Sequence, residues 1–175
     1  MGETDVLKAL QLLPGVQSGG EGQAGLYVRG GSPDQNLILL DGVPVYNANH
    51  LFGFFSVFNA EAIKDVTLIK GGFPARYGGR LSSVLEINLK DGHQQEFHGD
   101  MSIGLVGSKL TLEGPINKGK TSFLLSGRRT YIDLLAKPFI KQSFKDSDSE
   151  GDTGYYFYDV NAKVNHTFSQ RDRIY

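Results

Sequence analysis

The stretch from Tyr156 to Phe168 constrains this chain more than any other feature. Tyr156, Tyr158, Val160, Ala162, Val164, His166 and Phe168 alternate with Asp159, Asn161, Lys163, Asn165 and Thr167. A period of two puts the first set on one face of a β-strand and the second on the other. Strands in ordinary globular sheets run about 5–6 residues, and this one is roughly twice that. A half-buried strand of a soluble sandwich shows the same period. A lipid-facing barrel strand also alternates apolar-out and polar-in and carries aromatic residues near its ends, as the tyrosines here do.

Other stretches after Phe97 have the same character. Met101, Ile103 and Leu105 are apolar at odd positions, whereas Val106, Leu110 and Leu112 are apolar at even ones. A pleated strand cannot change face without a bulge or turn, so a tight turn is expected between Gly104 and Ser108, separating two short strands. A strand over Thr121–Ile132 follows, led in by a turn at Asn117–Lys120. A long polar loop, Asp133–Gly154, precedes the tyrosine strand. Ser169–Asp172 is a further short turn, and Arg173-Ile174-Tyr175 begins another strand.

The first half reads differently. Thr4 is placed to cap a helix in which Val6, Leu7, Leu10 and Leu13 recur at helical spacing, with Asp5 in its first turn and Pro14-Gly15 as its stop. Gln17–Gly25 reads as a loop. Leu26–Arg29 and the continuous apolar run Leu37–Leu40 read as strands that pair as a hairpin, the second buried on both faces. That pairing places the loops Gln17–Gly25 and Val43–Phe58 at one end of the domain. Asn59 caps a short helix over Ala60–Lys64, and Val66–Ile69 and Val84–Leu89 are further strands. The chain therefore divides into an α+β domain over 1–92, a small mixed sheet with short helices, and antiparallel strands over 93–175. The 23 glycines, roughly twice the ~7% usual in proteins, include the doublets Gly19-Gly20, Gly30-Gly31, Gly71-Gly72 and Gly78-Gly79, which mark turns with positive φ or close backbone packing.

Composition removes several classes. With no cysteine, disulfides and thiolate metal sites are excluded. A net charge of −1 gives no field for nucleic acid. No run of 18 apolar residues encodes a membrane helix, so any membrane role falls to strands. The opening Met1-Gly2-Glu3-Thr4-Asp5 has neither a basic nor an apolar leader segment, and a fragment without signal peptide is expected. Gly20-Glu21-Gly22-Gln23-Ala24-Gly25 spells a dinucleotide fingerprint, but no strand precedes it and no helix follows, so no cofactor is expected. Asp146, Asp148, Glu150 and Gly151 imitate the start of an EF-hand, but the twelfth position is Phe157 where a bidentate glutamate is needed; a solvated loop is expected. His50, His93, His98 and His166 have no metal-ligand spacing. No nucleophile, base and orienter assemble, so enzymatic chemistry is not expected.

Several segments, in order, resemble the plug of TonB-dependent outer-membrane receptors: Asp5–Leu10 with Leu13-Pro14-Gly15-Val16; Val28-Arg29-Gly30-Gly31; Leu37–Leu40 with Asp41-Gly42-Val43-Pro44; Ala62–Val66; and Lys70–Val84. Gly114-Pro115-Ile116 and Ser126–Tyr131 resemble the early barrel of bacteroidete members. The resemblance implies a plug domain followed by the N-terminal strands of a transmembrane barrel of about 22 strands, truncated here to four strands and the start of a fifth. It implies energy-dependent uptake of a siderophore, cobalamin, glycan or peptide, with the plug gating the lumen. The implied partners are TonB, acting through a box absent from this chain, the transported ligand, outer-membrane lipid and a surface lipoprotein. It places Arg29, Arg76 and Arg80, with Gly30, Gly31, Gly71, Gly72, Tyr77, Gly78 and Gly79, at plug–barrel contacts, the arginines bonding to acids of the barrel wall or plug. The loop rich in Tyr46, Asn47, Asn49, His50, Phe52, Phe54 and Phe55 is expected to face ligand, since rings supply apolar area and amides fix orientation. The competing reading is a soluble plug-like binding or signalling module, which has no need of the strands after Phe97.

Overall fold

A computed structural model of the chain describes residues 5–19, 25–50, 53–135, 155–169 and 171–175. It falls into two compact units that meet in sequence between Lys90 and Asp91.

The first unit opens with helix α1, Val6–Leu10. Its cap is Asp5 rather than Thr4, which lies outside the described residues. Asp5 Oδ1 accepts from the amides of Leu7 (2.9 Å) and Lys8 (3.2 Å), two of the four donors a helix start leaves unpaired. Asp5 Oδ2 accepts the Ser56 amide at 2.7 Å, so one carboxylate ties the helix to a segment fifty residues away.

Strand β1, Val16–Ser18, pairs antiparallel with β2, Leu26–Val28. This corrects two expectations: Gln17 and Ser18 are strand rather than loop, and β2 does not form a hairpin with the Leu37 strand. The alternative partner wins because β1 supplies the buried Val16 opposite Val28. The placement of two loops at one end, derived from that hairpin, loses its basis. The Leu37 strand, β3 (Asn36–Leu40), instead joins a four-stranded sheet. Its other members are β4 (Val43–Pro44), β7 (Ile63–Ile69) and β8 (Ser83–Leu89), in the order β4-β3-β8-β7. β3 and β8 are parallel and β7 and β8 antiparallel, so the sheet is mixed. Two short strands, β5 (Asn49–His50) and β6 (Phe55–Ser56), pair separately. The expected second helix is only a 3-10 turn at Ala60–Ala62, capped by Asn59, because the chain is already extended from Ile63 onward.

The sheet is buried on both faces. Leu85 and Ile87 of β8 join Leu7, Val16, Leu26, Val28, Ala48 and Phe58, with Ile38 and Leu40 packed beside them. Val84 joins Leu39 and Tyr77 on the other face, with Leu37, Ile69 and Phe73. The unbroken apolar run of β3 is what a strand packed on two sides requires. Burial of a side chain such as Leu85 or Ile87 contributes about 1.5–3 kcal/mol.

The second unit is a five-stranded antiparallel sheet in chain order: β9 (His98–Ile103), β10 (Gly107–Asn117), β11 (Thr121–Thr130), β12 (Tyr158–Thr167) and β13 (Arg173–Ile174). The phase change after Ile103 is a turn, closed by the Gly104 amide donating to the Gly107 carbonyl at 2.8 Å. Tyr131 donates its hydroxyl to the carbonyls of Gly104 and Gly107. β10 is long, at 11 residues, rather than short. β10, β11 and β12 thus match the ~9–11 residues of a membrane-crossing strand. No helix among the described residues is long and apolar enough to cross a membrane.

Candidate functional site

The strand sheet of the second unit has its polarity reversed relative to a soluble sheet. Pairing puts Met101, Leu110, Gly127 and Val160 in one row across four strands. Leu112, Leu125 and Ala162 form the next row, and Gly114, Phe123 and Val164 the third. This apolar face is the open one: Met101 is 70% exposed, Val160 66% and Val164 54%. On the other face Thr111, Ser122, Ser126, Arg128, Thr130 and Asn165 are buried. A soluble fold buries its apolar face; a lipid-facing strand does the opposite.

The two ends of the apolar face differ from its middle. At one end Tyr158 pairs with Arg129, and the Arg129 guanidinium lies 5.3 Å from the Tyr156 ring centroid. At the other, Thr121 Oγ1 and His166 Nδ1 are 2.7 Å apart, and His166 packs edge-on against Phe168. Phe97 lies on Gly114 so closely that a Cβ there would sit 2.3 Å from its ring, and it also approaches Phe123. Aromatic rings bracketing an aliphatic band match the girdles of a membrane barrel.

The buried face is held by paired charge. Arg128 and Asp159 are cross-strand partners, with Arg128 Nε and Nη2 donating to Asp159 Oδ2 at 3.0 and 2.5 Å. The Arg128 guanidinium also lies over the Phe157 ring at 5.2 Å.

In the first unit, Arg29 and Gly30 form the centre of a tight turn, with φ of 49° and 82°, closed by the Gly31 amide donating to Val28 O at 2.9 Å. Both central positions need positive φ in such a turn, which Gly30 adopts freely and Arg29 adopts against its preference. A Cβ on Gly31 would sit 2.4 Å from Ser82 Oγ, and that hydroxyl donates to Val28 O at 2.7 Å. The Arg29 guanidinium passes Gly71, whose Cβ would lie 3.2 Å from Nη1. Lys70 Nζ donates to Pro14 O at 2.7 Å beside it. Gly31 is therefore a close-approach position, and Gly71 combines a neighbour with a positive φ of 141°. Gly30, Gly72 and Gly79 are there for their positive φ, with open space where a side chain would be, and nothing in the structure explains Gly78.

Arg76 donates to the Tyr77 hydroxyl at 2.7 Å and lies over its ring at 4.6 Å. That hydrogen bond, with the charge of the Glu86 carboxylate, raises Arg76 above the usual arginine range. Tyr77 itself is a core residue of the sheet. Arg80 donates to the Gly79 carbonyl at 3.0 Å. No carboxylate ion-pairs with Arg29, Arg76 or Arg80 among the described residues.

The aromatic loop divides. Tyr46 is 87% exposed and Phe54 is also exposed. Asn47 is exposed, and Asn49 and His50 are half-buried in β5. Phe55 is corrected from ligand-facing to core: it is 7% exposed, because its strand pairs back on His50 and turns the ring inward. Phe52 lies outside the described residues, as do most of the Gly20–Gly25 motif and the loop carrying Asp146–Gly151.

The family profile described as TonB-dependent Receptor Plug Domain matches residues 1–83. The vitamin B12 transporter BtuB of Vibrio vulnificus is 31% identical over 106 residues, which are 58% of this chain and 17% of that protein. The ferrienterobactin receptor of Escherichia coli is 30% identical over 141 residues, 70% of this chain and 18% of that protein. The chain thus spans less than a fifth of the length of these curated relatives. The crystal structure of the siderophore receptor PirA from Pseudomonas aeruginosa superposes with a TM-score of 0.60 at 22% identity, over 95% of this chain and 28% of that one. The chain belongs to the TonB-dependent receptors, and residues 1–83 carry its plug domain.

Proposed function

We propose that this chain supplies the plug and the first wall strands of an outer-membrane transporter. The plug would occlude the barrel lumen until TonB, driven by the inner-membrane proton gradient, rearranges it to admit a scarce small molecule. The carrying observation is the reversed polarity of the β9–β13 sheet: an open aliphatic face and a buried hydrogen-bonded one. A soluble plug-like module would have no use for that face, which in water is a large apolar patch inviting aggregation. The relatives named for vitamin B12 and ferrienterobactin point to a bulky, metal-containing ligand.

In this reading the plug domain runs over residues 1–92 and the wall strands follow. Arg29 and Arg80, without carboxylate partners among the described residues of the plug, would pair with acids of the barrel wall, where desolvation strengthens such bonds. Tyr46, Asn47 and Phe54 would meet ligand, with lipid against Val160 and Val164 and a surface lipoprotein above.

Uptake of radiolabelled cobalamin and of ferric siderophores by cells carrying the full-length protein tests this. Uptake that is saturable and abolished by a protonophore supports transport; uptake insensitive to the protonophore and to TonB deletion refutes it.

A further inference from the structure

The short segment that leads into the wall strands is itself fastened to them. Asp91 Oδ1 lies 3.1 Å from Lys163 Nζ on β12, and Asp91 Oδ2 lies 2.8 Å from Arg173 Nη2 on β13. Its carbonyl accepts the Ser122 hydroxyl of β11 at 2.7 Å. One residue therefore reaches three successive strands. Lys163 is only 9% exposed, so loss of this carboxylate would leave its buried ammonium less well compensated. Arg173 Nε also donates to the buried Asn165 Oδ1 at 2.8 Å, which orients the guanidinium.

The next residues continue the attachment. Gly92 has a φ of 80°, and a Cβ there would lie 2.3 Å from the Phe123 carbonyl oxygen, so its backbone lies directly on β11. The Gly119 amide donates to Gln94 O at 3.1 Å, joining the segment to the β10–β11 turn. Just before it, the chain is bonded to the plug instead: the Leu89 amide donates to Asp41 Oδ1 at 3.0 Å and the Lys90 amide to Ala62 O at 2.9 Å.

We infer that Asp91 is a positioning residue that makes Asp91–Gln94 part of the barrel wall, so that whatever unravelling of the plug accompanies transport stops at the Lys90–Asp91 peptide. This rests on the transporter reading and deepens it. A plug pulled from its N-terminal side transmits force along the chain. Without a fixed point, that force would reach β9, the first of the wall strands, and begin peeling the wall. The charge clamp and the glycine contact would arrest it first.

Single-molecule pulling tests the inference on the full-length protein in a supported bilayer, with the tip attached at the N-terminal end. The wild-type trace should show a distinct force peak whose contour length ends at Asp91, before the peaks of the strands. Two variants should lose it: Asp91→Ala, which removes the clamp, and Gly92→Ala, which leaves every charge in place. In both, the arrest should move outward toward His98 by about 23–25 Å, the extended length of Asp91–Phe97. Unchanged later peaks would report an intact barrel in each variant. A wild-type trace that runs to His98 without arrest, or variants that superimpose on wild type, would overturn the anchor. Because pulling needs no substrate, an arrest at Asp91 in a protein that imports nothing would sink the transport reading and leave the anchor standing.

Discussion

Arg128 and Asp159 face each other across neighbouring strands on the buried side of the sheet, joined by two hydrogen bonds into one carboxylate oxygen. Their side chains are 3% and 12% exposed. Removing one partner of such a pair leaves an uncompensated buried charge, whereas removing both does not. Asp159→Ala should therefore lower the stability of the folded barrel by about 3–5 kcal/mol, while Arg128→Met combined with Asp159→Leu should come close to wild type. Urea unfolding in lipid vesicles checks both, and equal losses in single and double variants would show that the pair is not isolated from water.

Asn36 plays a comparable part in the plug. It is buried, accepts the Ser83 hydroxyl at 2.7 Å and donates to the carbonyl of Leu26 at 2.5 Å. It therefore joins the central parallel pair to β2, which has no place in that sheet. Asn36→Ala should cost about 1–3 kcal/mol for each buried group it orphans. Ser83→Ala, which leaves the Leu26 bond, should cost less. Protease susceptibility of the plug in the assembled protein should rise in that order.

Gly31 tests close approach. With a Cβ 2.4 Å from Ser82 Oγ and 2.5 Å from Ser82 Cβ, Gly31→Ala must push the Ser82 backbone away. Ser82→Gly in the same molecule should recover part of the lost stability, by thermal unfolding of the full-length protein. No recovery would mean that the strain lies elsewhere in the turn.

Much of this was legible in the sequence because it rests on periodicity. The alternation over Tyr156–Phe168 is the two faces of β12, and the phase change near Gly104 is a turn. What was not legible depends on partners chosen at long range. Val16 and Val28 pair across a Gly-rich stretch of sequence that carries no strand signal, so the letters favour the wrong neighbour for β2. Phe55 stands next to Phe54 in an aromatic run that does not say which ring points inward, and its strand pairing turns it into the core. In the candidate site, the glycines that need positive φ were marked by their doublets, but a letter cannot separate them from Gly31, whose reason is Ser82. Asp41 and Asp91 read simply as turn residues before glycine; their carboxylates bond to the Leu89 amide and to Lys163 and Arg173, which only the fold brings near.

The lipid assignment also predicts a depth dependence. Leu125→Arg, in the middle row of the apolar face, should destabilise the barrel by about 2–4 kcal/mol. Tyr158→Arg, at the rim, should cost about 0–1 kcal/mol. Refolding equilibria in vesicles measure both, and equal costs would place the two positions at one depth.

Collision accessibility of spin labels along β12 reports which of its two faces meets lipid. Single cysteines at 159 through 164 of the full-length protein in bilayers would each carry a nitroxide. Oxygen, which concentrates in the hydrocarbon, should relax labels at 160, 162 and 164 strongly and those at 159, 161 and 163 weakly, while a water-soluble nickel complex should not reach the first set. High nickel accessibility at 160, 162 and 164, or no alternation at all, would contradict a membrane-facing wall.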